Sequence, residues 1–296
     1  MTINRRRAPS SEISSEKKLG GHQRERIYAT LIGGERLGGT QKGDVKDKNG
    51  NLHSVKSGKK WQVFLYVYNR ISKSNYLNIL LPCQKAFPED YEQYSEDRTK
   101  CIAFKEEYIK NHGRDAATHL SNDDVAKHMG ANTYMESKNR LEKATISVCN
   151  ALKDKDRLRN FLGEALFNNA EVSFLAIKDS TYKKDGLFKV FAKEDVLDIL
   201  SAKLLPAVST AGRVPEDYNI AGQKTLLRYK TTSGKLKNIV EIEIRNDSTS
   251  KYRLVRFNMY SKDTLFLLLD SQPRIPVKYL CKHVVAHGQA TETLRI

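Results

Sequence analysis

The dipeptide Asn49-Gly50, set in a polar turn between two short runs, limits what this chain can fold into more than any other feature. The first run is Gln41-Lys42-Gly43-Asp44-Val45 and the second is Leu52-His53-Ser54-Val55-Lys56. Two such runs around a Gly-containing turn read as a β-hairpin. Side chains alternate along a strand, so Ser54 and Lys56 share a face. The register depends on the turn. A two-residue turn at Asn49-Gly50 pairs Asp44 with Val55 and sends Asp44 to the other face. A three-residue turn, Lys48-Asn49-Gly50 with Gly50 left-handed, pairs Asp44 with Ser54 and gathers Asp44, Ser54 and Lys56.

Those three groups suit one chemistry. A carboxylate can hold a divalent cation, and a lysine nearby can orient an attacking water. Hydrolysis of a phosphodiester needs both, because the phosphate repels a nucleophile until its charge is neutralised. The alternative is an ordinary solvated hairpin built from the same common residue types.

The charge balance bears on that choice. Lys and Arg number 51 against 35 Asp and Glu, a formal net charge of +16. Such an excess favours a polyanionic partner, nucleic acid first, because each phosphate contact releases counterions. An anionic membrane surface ranks second, and no apolar segment is long enough to span a bilayer. The start of the chain, Met1 to Ser15, carries Arg5, Arg6 and Arg7 without an apolar stretch, which reads as a mobile basic tail rather than a secretory signal. Cys83, Cys101, Cys149 and Cys281 are scattered, the usage of a reduced cytoplasmic protein. Cys281, His283 and His287 form the one Cys/His cluster. It lacks a fourth ligand for a tetrahedral metal site, and packing is the stronger reading.

Gly43-Asp44-Val45 followed by Ser54-Val55-Lys56 resembles the PD-(D/E)XK nuclease superfamily, and within it the type II restriction endonucleases. The resemblance covers about a sixth of the chain. It implies an α+β fold, a mixed-sheet nuclease core flanked by helices, with a helical insertion. It also implies Mg²⁺-dependent, sequence-specific cleavage of double-stranded DNA by a homodimer. On that pattern Asp44 binds metal, Lys56 positions water, and Ser54 stands where the family usually has a second acidic residue. The missing carboxylate is expected from an upstream helix, with Glu25 favoured over Glu16 and Glu35. Rival readings are a repair or mobile-element nuclease, and a non-catalytic DNA-binding regulator.

Elsewhere the patterns are coarser. His22 to Ile32 has helical spacing and stops at Gly33-Gly34. Trp61 to Tyr68 is an apolar strand or the start of a helix, and Asn75 to Leu81 adds another apolar stretch. Residues 91–169 read as mostly helical. Within them Ser121 to Leu152 has a helix-turn-helix outline whose second helix bears Lys138 and Arg140. Strands are expected at Glu171–Ile177, Leu187–Phe191, Thr225–Lys230, Ile239–Arg245, Tyr252–Tyr260 and Thr264–Leu269, with a helix at Ala192–Leu205 halted by Pro206. Glu241 and Glu243 alternate with apolar residues and are further sources of a carboxylate. Arg245, Arg253 and Arg256 are DNA-binding candidates, since Arg reads guanine bidentately. With no clear linker, residues 16–296 read as one domain.

Overall fold

A computed structural model describes residues 11–38, 43–66, 100, 103, 106–113, 143–167, 171–179, 187–209, 224–246, 253–271 and 276–294. The chain divides into two compact units. One comprises Met1–Trp61, Leu162–Lys203 and Met259–Ile296, and the other Gln62–Phe161 and Leu204–Asn258. Helices accompany a mixed sheet in the first unit and an antiparallel sheet in the second, so the fold class is α+β.

The first unit opens with helix α1 (Ser11–Ile32). It starts earlier than its apolar spacing suggests and takes in the last residues of the expected tail. Glu12 and Glu16 in its first turns favour that, since acidic groups suit a helix N-terminus. The hairpin follows as β1 (Glu35–Arg36), β2 (Val45–Lys46) and β3 (Leu52–Lys56). After the excursion through the second unit come β5 (Phe174–Asp179), β6 (Leu187–Ala192) and, near the end of the chain, β11 (Val277–Cys281) and β12 (Val284–His287). These seven strands make one sheet in the order β1-β2-β3-β5-β6-β12-β11. The β3–β5 and β6–β12 neighbours are parallel, and the other pairs are antiparallel.

Period-two alternation explains how α1 attaches. Val45 and Val55 of the hairpin, Phe174 and Ala176 of β5, Phe188 and Val190 of β6, and Val284 and Ala286 of β12 form one buried cluster with Tyr28, Ala29 and Ile32 of α1. Burying each large apolar side chain there stabilises the unit by about 1.5–3 kcal/mol. The end of α1 approaches the hairpin so closely that a Cβ on Gly34 would stand 2.5 Å from the Lys46 carbonyl oxygen. Helices α3 (Lys193–Lys203) and α4 (Ser261–Asp270) also lie against this sheet.

The second unit contains β4 (Lys60–Tyr66), β7 (Leu205–Val208), β8 (Thr225–Lys230), β9 (Leu236–Asn246) and β10 (Arg253–Tyr260), ordered β4-β10-β9-β8-β7. Helical residues occur at 106–112 and 143–151, and α2 (Lys155–Phe167) runs from this unit into the first. The Asn75–Leu81 stretch and most of the helix-turn-helix outline, including Lys138 and Arg140, lie outside the described residues.

Two expectations are corrected. Thr264–Leu269 is not a strand but part of α4. Thr264, Leu265, Leu267 and Leu268 are buried while Phe266 is exposed, which is helical spacing inside a continuous apolar run. The helix expected to run to Leu205 and stop at Pro206 ends at Lys203, and Leu205 already belongs to β7. Pro206 stands within β7, opposite Leu227, on a strand at the end of the sheet order, where a missing N–H costs little.

Candidate functional site

The β2–β3 hairpin takes the three-residue turn. Val45 pairs with His53 and Lys46 with Leu52, which brings Asp44 level with Ser54. Gly50 has φ +87°, the left-handed conformation such a turn demands. The Asp47 N–H donates to the Asn51 carbonyl at 3.0 Å, and the Gly50 N–H donates back to the Asp47 carbonyl at 3.1 Å. Asp47 also caps the turn through its side chain, accepting from the Asn49 and Asn51 N–H groups at 2.9 and 2.8 Å.

In this register one oxygen of Asp44 becomes a hub. Its Oδ2 accepts the Val55 N–H at 2.7 Å and the Lys56 Nζ at 3.2 Å. The Ser54 hydroxyl approaches the same oxygen at 3.5 Å, a long and weak contact. The Asp44 and Lys56 side chains are 19% and 20% exposed, so the pair is sheltered but reachable. These three contacts all converge on Oδ2.

Glu25 is held elsewhere. Its Oε2 accepts Arg36 Nε at 2.9 Å and lies 3.2 Å from His22 Nδ1. No hydrogen bond or ion pair joins it to Asp44 or Lys56 among the described residues. The side chain of Glu16 is not described, and Glu35 is exposed on β1. Glu241 belongs to the second unit, where Lys224 Nζ pairs with it at 3.6 Å. Glu243, Arg245, Arg253 and Arg256 occupy strand positions on β9 and β10, and their side chains are outside the described residues. Among the described residues, no group of three or more His, Cys, Asp or Glu side chains is placed to hold a metal ion.

No protein-family model, curated protein or solved structure matches this chain.

The Cys281, His283 and His287 cluster does not converge. Cys281 packs toward the α1 cluster, whereas His287 stacks on Phe191 with ring centroids 5.0 Å apart. Burial, helped by Lys189, pulls the His287 imidazole down to about 4. Among the described residues, its Nε2 has no hydrogen-bond partner.

Behind the Asp44–Lys56 pair lies a buried chain of polar groups that the sequence did not reveal. The Tyr28 hydroxyl of α1 meets His53 Nδ1 at 2.9 Å, and His53 Nε2 meets Asp47 Oδ2 at 3.3 Å. Burial, then the negative charge of Asp47, pushes the Tyr28 phenol well up. In the Nε2–H tautomer of His53, the Tyr28 hydroxyl donates to Nδ1 and Nε2–H donates to Asp47. His53 also stacks on Phe174 at 4.8 Å between centroids. The chain ties the helix to the turn and so fixes the register on which the Asp44–Lys56 pair depends.

This arrangement carries a pH signature. Burial opposes ionisation of Asp47, but the hydrogen bonds from His53 and Asn51 outweigh it and lower the carboxyl from 3.8 to about 2. A depressed carboxyl stabilises the fold fully above its unfolded pKa. The contribution is lost as pH falls through the folded value. Urea denaturation of the wild type from about pH 4 down to about pH 2 is therefore expected to show a loss of about 2 kcal/mol that Asp47→Asn lacks. Parallel curves for the two proteins would show that Asp47 is not held in this way.

Proposed function

We infer that this chain is a Mg²⁺-dependent endonuclease of the type II restriction class, cutting double-stranded DNA at a specific sequence. The observation that supports this best is the convergence of the Val55 N–H and the Lys56 ammonium on one oxygen of Asp44, with the Ser54 hydroxyl close by. The turn that produces it is the one of two registers that gathers these groups. The net charge of +16 supports a polyanionic substrate.

In this reading Asp44 would hold the cation, and the Ser54 hydroxyl would help to orient Asp44. The cation, when bound, supplies the positive charge that neutralises the phosphate. Lys56 has two tasks. It fixes Asp44 by their ion pair, and its ammonium positions the attacking water and offsets negative charge on the phosphoryl oxygens in the transition state. Holding these groups in advance saves the cost of ordering them during reaction. Glu25, bound to Arg36, ties α1 to β1, and it remains the upstream carboxylate proposed to complete the metal site if Arg36 releases it. Sequence reading is assigned to Lys138, Arg140, Arg245, Arg253 and Arg256. A two-fold sequence would be read by a homodimer. No helix among the described residues is long and apolar enough to cross a membrane. The scattered cysteines are the ground on which we assign the enzyme to the cytoplasm.

Digestion of a long linear DNA with Mg²⁺ separates this reading from its nearest rival. Discrete fragments are expected. A continuous smear, or nicks only at damaged sites, would instead indicate a repair or mobile-element nuclease.

A further inference from the structure

We propose that the turn after β3, Ser57-Gly58-Lys59-Lys60, together with Arg24 of α1, is a clamp for the nucleic-acid backbone. It would seat the phosphates that flank the one being cut. The proposal rests on the nuclease reading and names how its substrate is held.

Four cationic residues lie on or beside this end of β3. Lys56 is the last residue of the strand and contacts Asp44. Arg24 comes from α1 and donates from one guanidinium nitrogen to Ser57 Oγ at 3.2 Å. Its remaining donors suit a phosphate, which a guanidinium fork binds in bidentate fashion. Lys59 is exposed, as is Gly58 before it, and no ion pair is seen for Lys59 among the described residues. Lys60 is positioned by Tyr260, with its Nζ 4.8 Å from the ring centroid and 3.5 Å from the hydroxyl. The turn is itself anchored, because the Ser261 N–H at the start of α4 donates to the Lys59 carbonyl at 3.2 Å.

The placement has a physical consequence. Ser57 follows Lys56 directly, and neighbouring Cα atoms are about 3.8 Å apart. Successive phosphates on one DNA strand are several ångströms apart, so a strand that has its scissile phosphate at Lys56 and follows the direction of β3 would bring the next ones over this turn. Such contacts fix register and orientation and carry no sequence information. The clamp is therefore a positioning device shared by every duplex the protein meets.

The test is the salt dependence of duplex binding without metal. Lys59→Gln removes an exposed side chain and is expected to reduce the slope of log K against log salt by about one. The triple variant Arg24→Gln, Lys59→Gln, Lys60→Gln is expected to reduce it by roughly three. Lys59→Arg should keep the wild-type slope. Lys235→Gln, a change at an exposed lysine of the second unit, should also leave it unchanged. Wild-type binding that is steep in salt, with a triple variant of the same slope, would overturn the clamp and leave the nuclease reading standing. So would a Lys235→Gln effect equal to that of Lys59→Gln. A wild type that binds no duplex at low salt would overturn both.

Discussion

Asp44→Ala is expected to abolish cleavage, and Lys56→Ala to slow it by roughly 10²–10³-fold, with duplex affinity in the absence of metal changed little. The asymmetry follows from what each group does. Asp44 receives both the Val55 N–H and the Lys56 ammonium, so its loss removes the proposed metal ligand and the anchor of the lysine together. In the proposed mechanism Lys56 acts on charge that develops during reaction, and an interaction stronger in the transition state than in the ground state shows in rate rather than affinity. Single-turnover rates with saturating enzyme, beside binding isotherms without metal, measure the two separately. Lys56→Ala cutting at the wild-type rate would remove the lysine from the mechanism. The turn contacts made by Asp47 and Gly50 do not involve the Asp44 side chain, and a circular dichroism spectrum and urea midpoint of Asp44→Ala check that it is folded.

The second large effect is expected behind the site. His53→Ala should cost about 3 kcal/mol of stability. His53 is fully buried against Phe174 and bonded at both ring nitrogens. Its removal opens a cavity and leaves the Tyr28 hydroxyl and the Asp47 carboxylate without this partner. Tyr28→Phe deletes a single hydroxyl and should cost about 1 kcal/mol. The two changes share a bond, so their effects should not add, and a double-mutant cycle by urea denaturation measures the coupling. Strict additivity would mean that the polar chain does not work as a unit.

The hairpin was legible because its determinants are local. Gly50 supplies the left-handed residue that a three-residue turn requires, and alternation then puts Ser54 and Lys56 on one face. The strands expected at Thr225–Lys230 and Leu187–Phe191 stand at Thr225–Lys230 and Leu187–Ala192, short runs rich in apolar and aromatic residues. Thr264–Leu269 was misread because an unbroken apolar run has no period until burial reveals it. The start of α1 was missed because its first turns are polar and have no apolar face to read. The Tyr28–His53–Asp47 chain could not be read at all. Tyr28 and His53 lie on separate elements that meet through packing of the Val45, Val55 and Phe174 cluster. Glu25 shows the opposite failure, since its place on an upstream helix was legible but its pairing with Arg36 was not.

The most direct measurement is incubation of supercoiled plasmid with the wild-type protein, with Mg²⁺ and with a chelator in its place. The account predicts conversion to linear DNA with ends at a fixed sequence when Mg²⁺ is present, and intact plasmid with the chelator. Plasmid that stays supercoiled in Mg²⁺ while the protein binds it tightly would contradict the account and leave a DNA-binding protein with a structural hairpin.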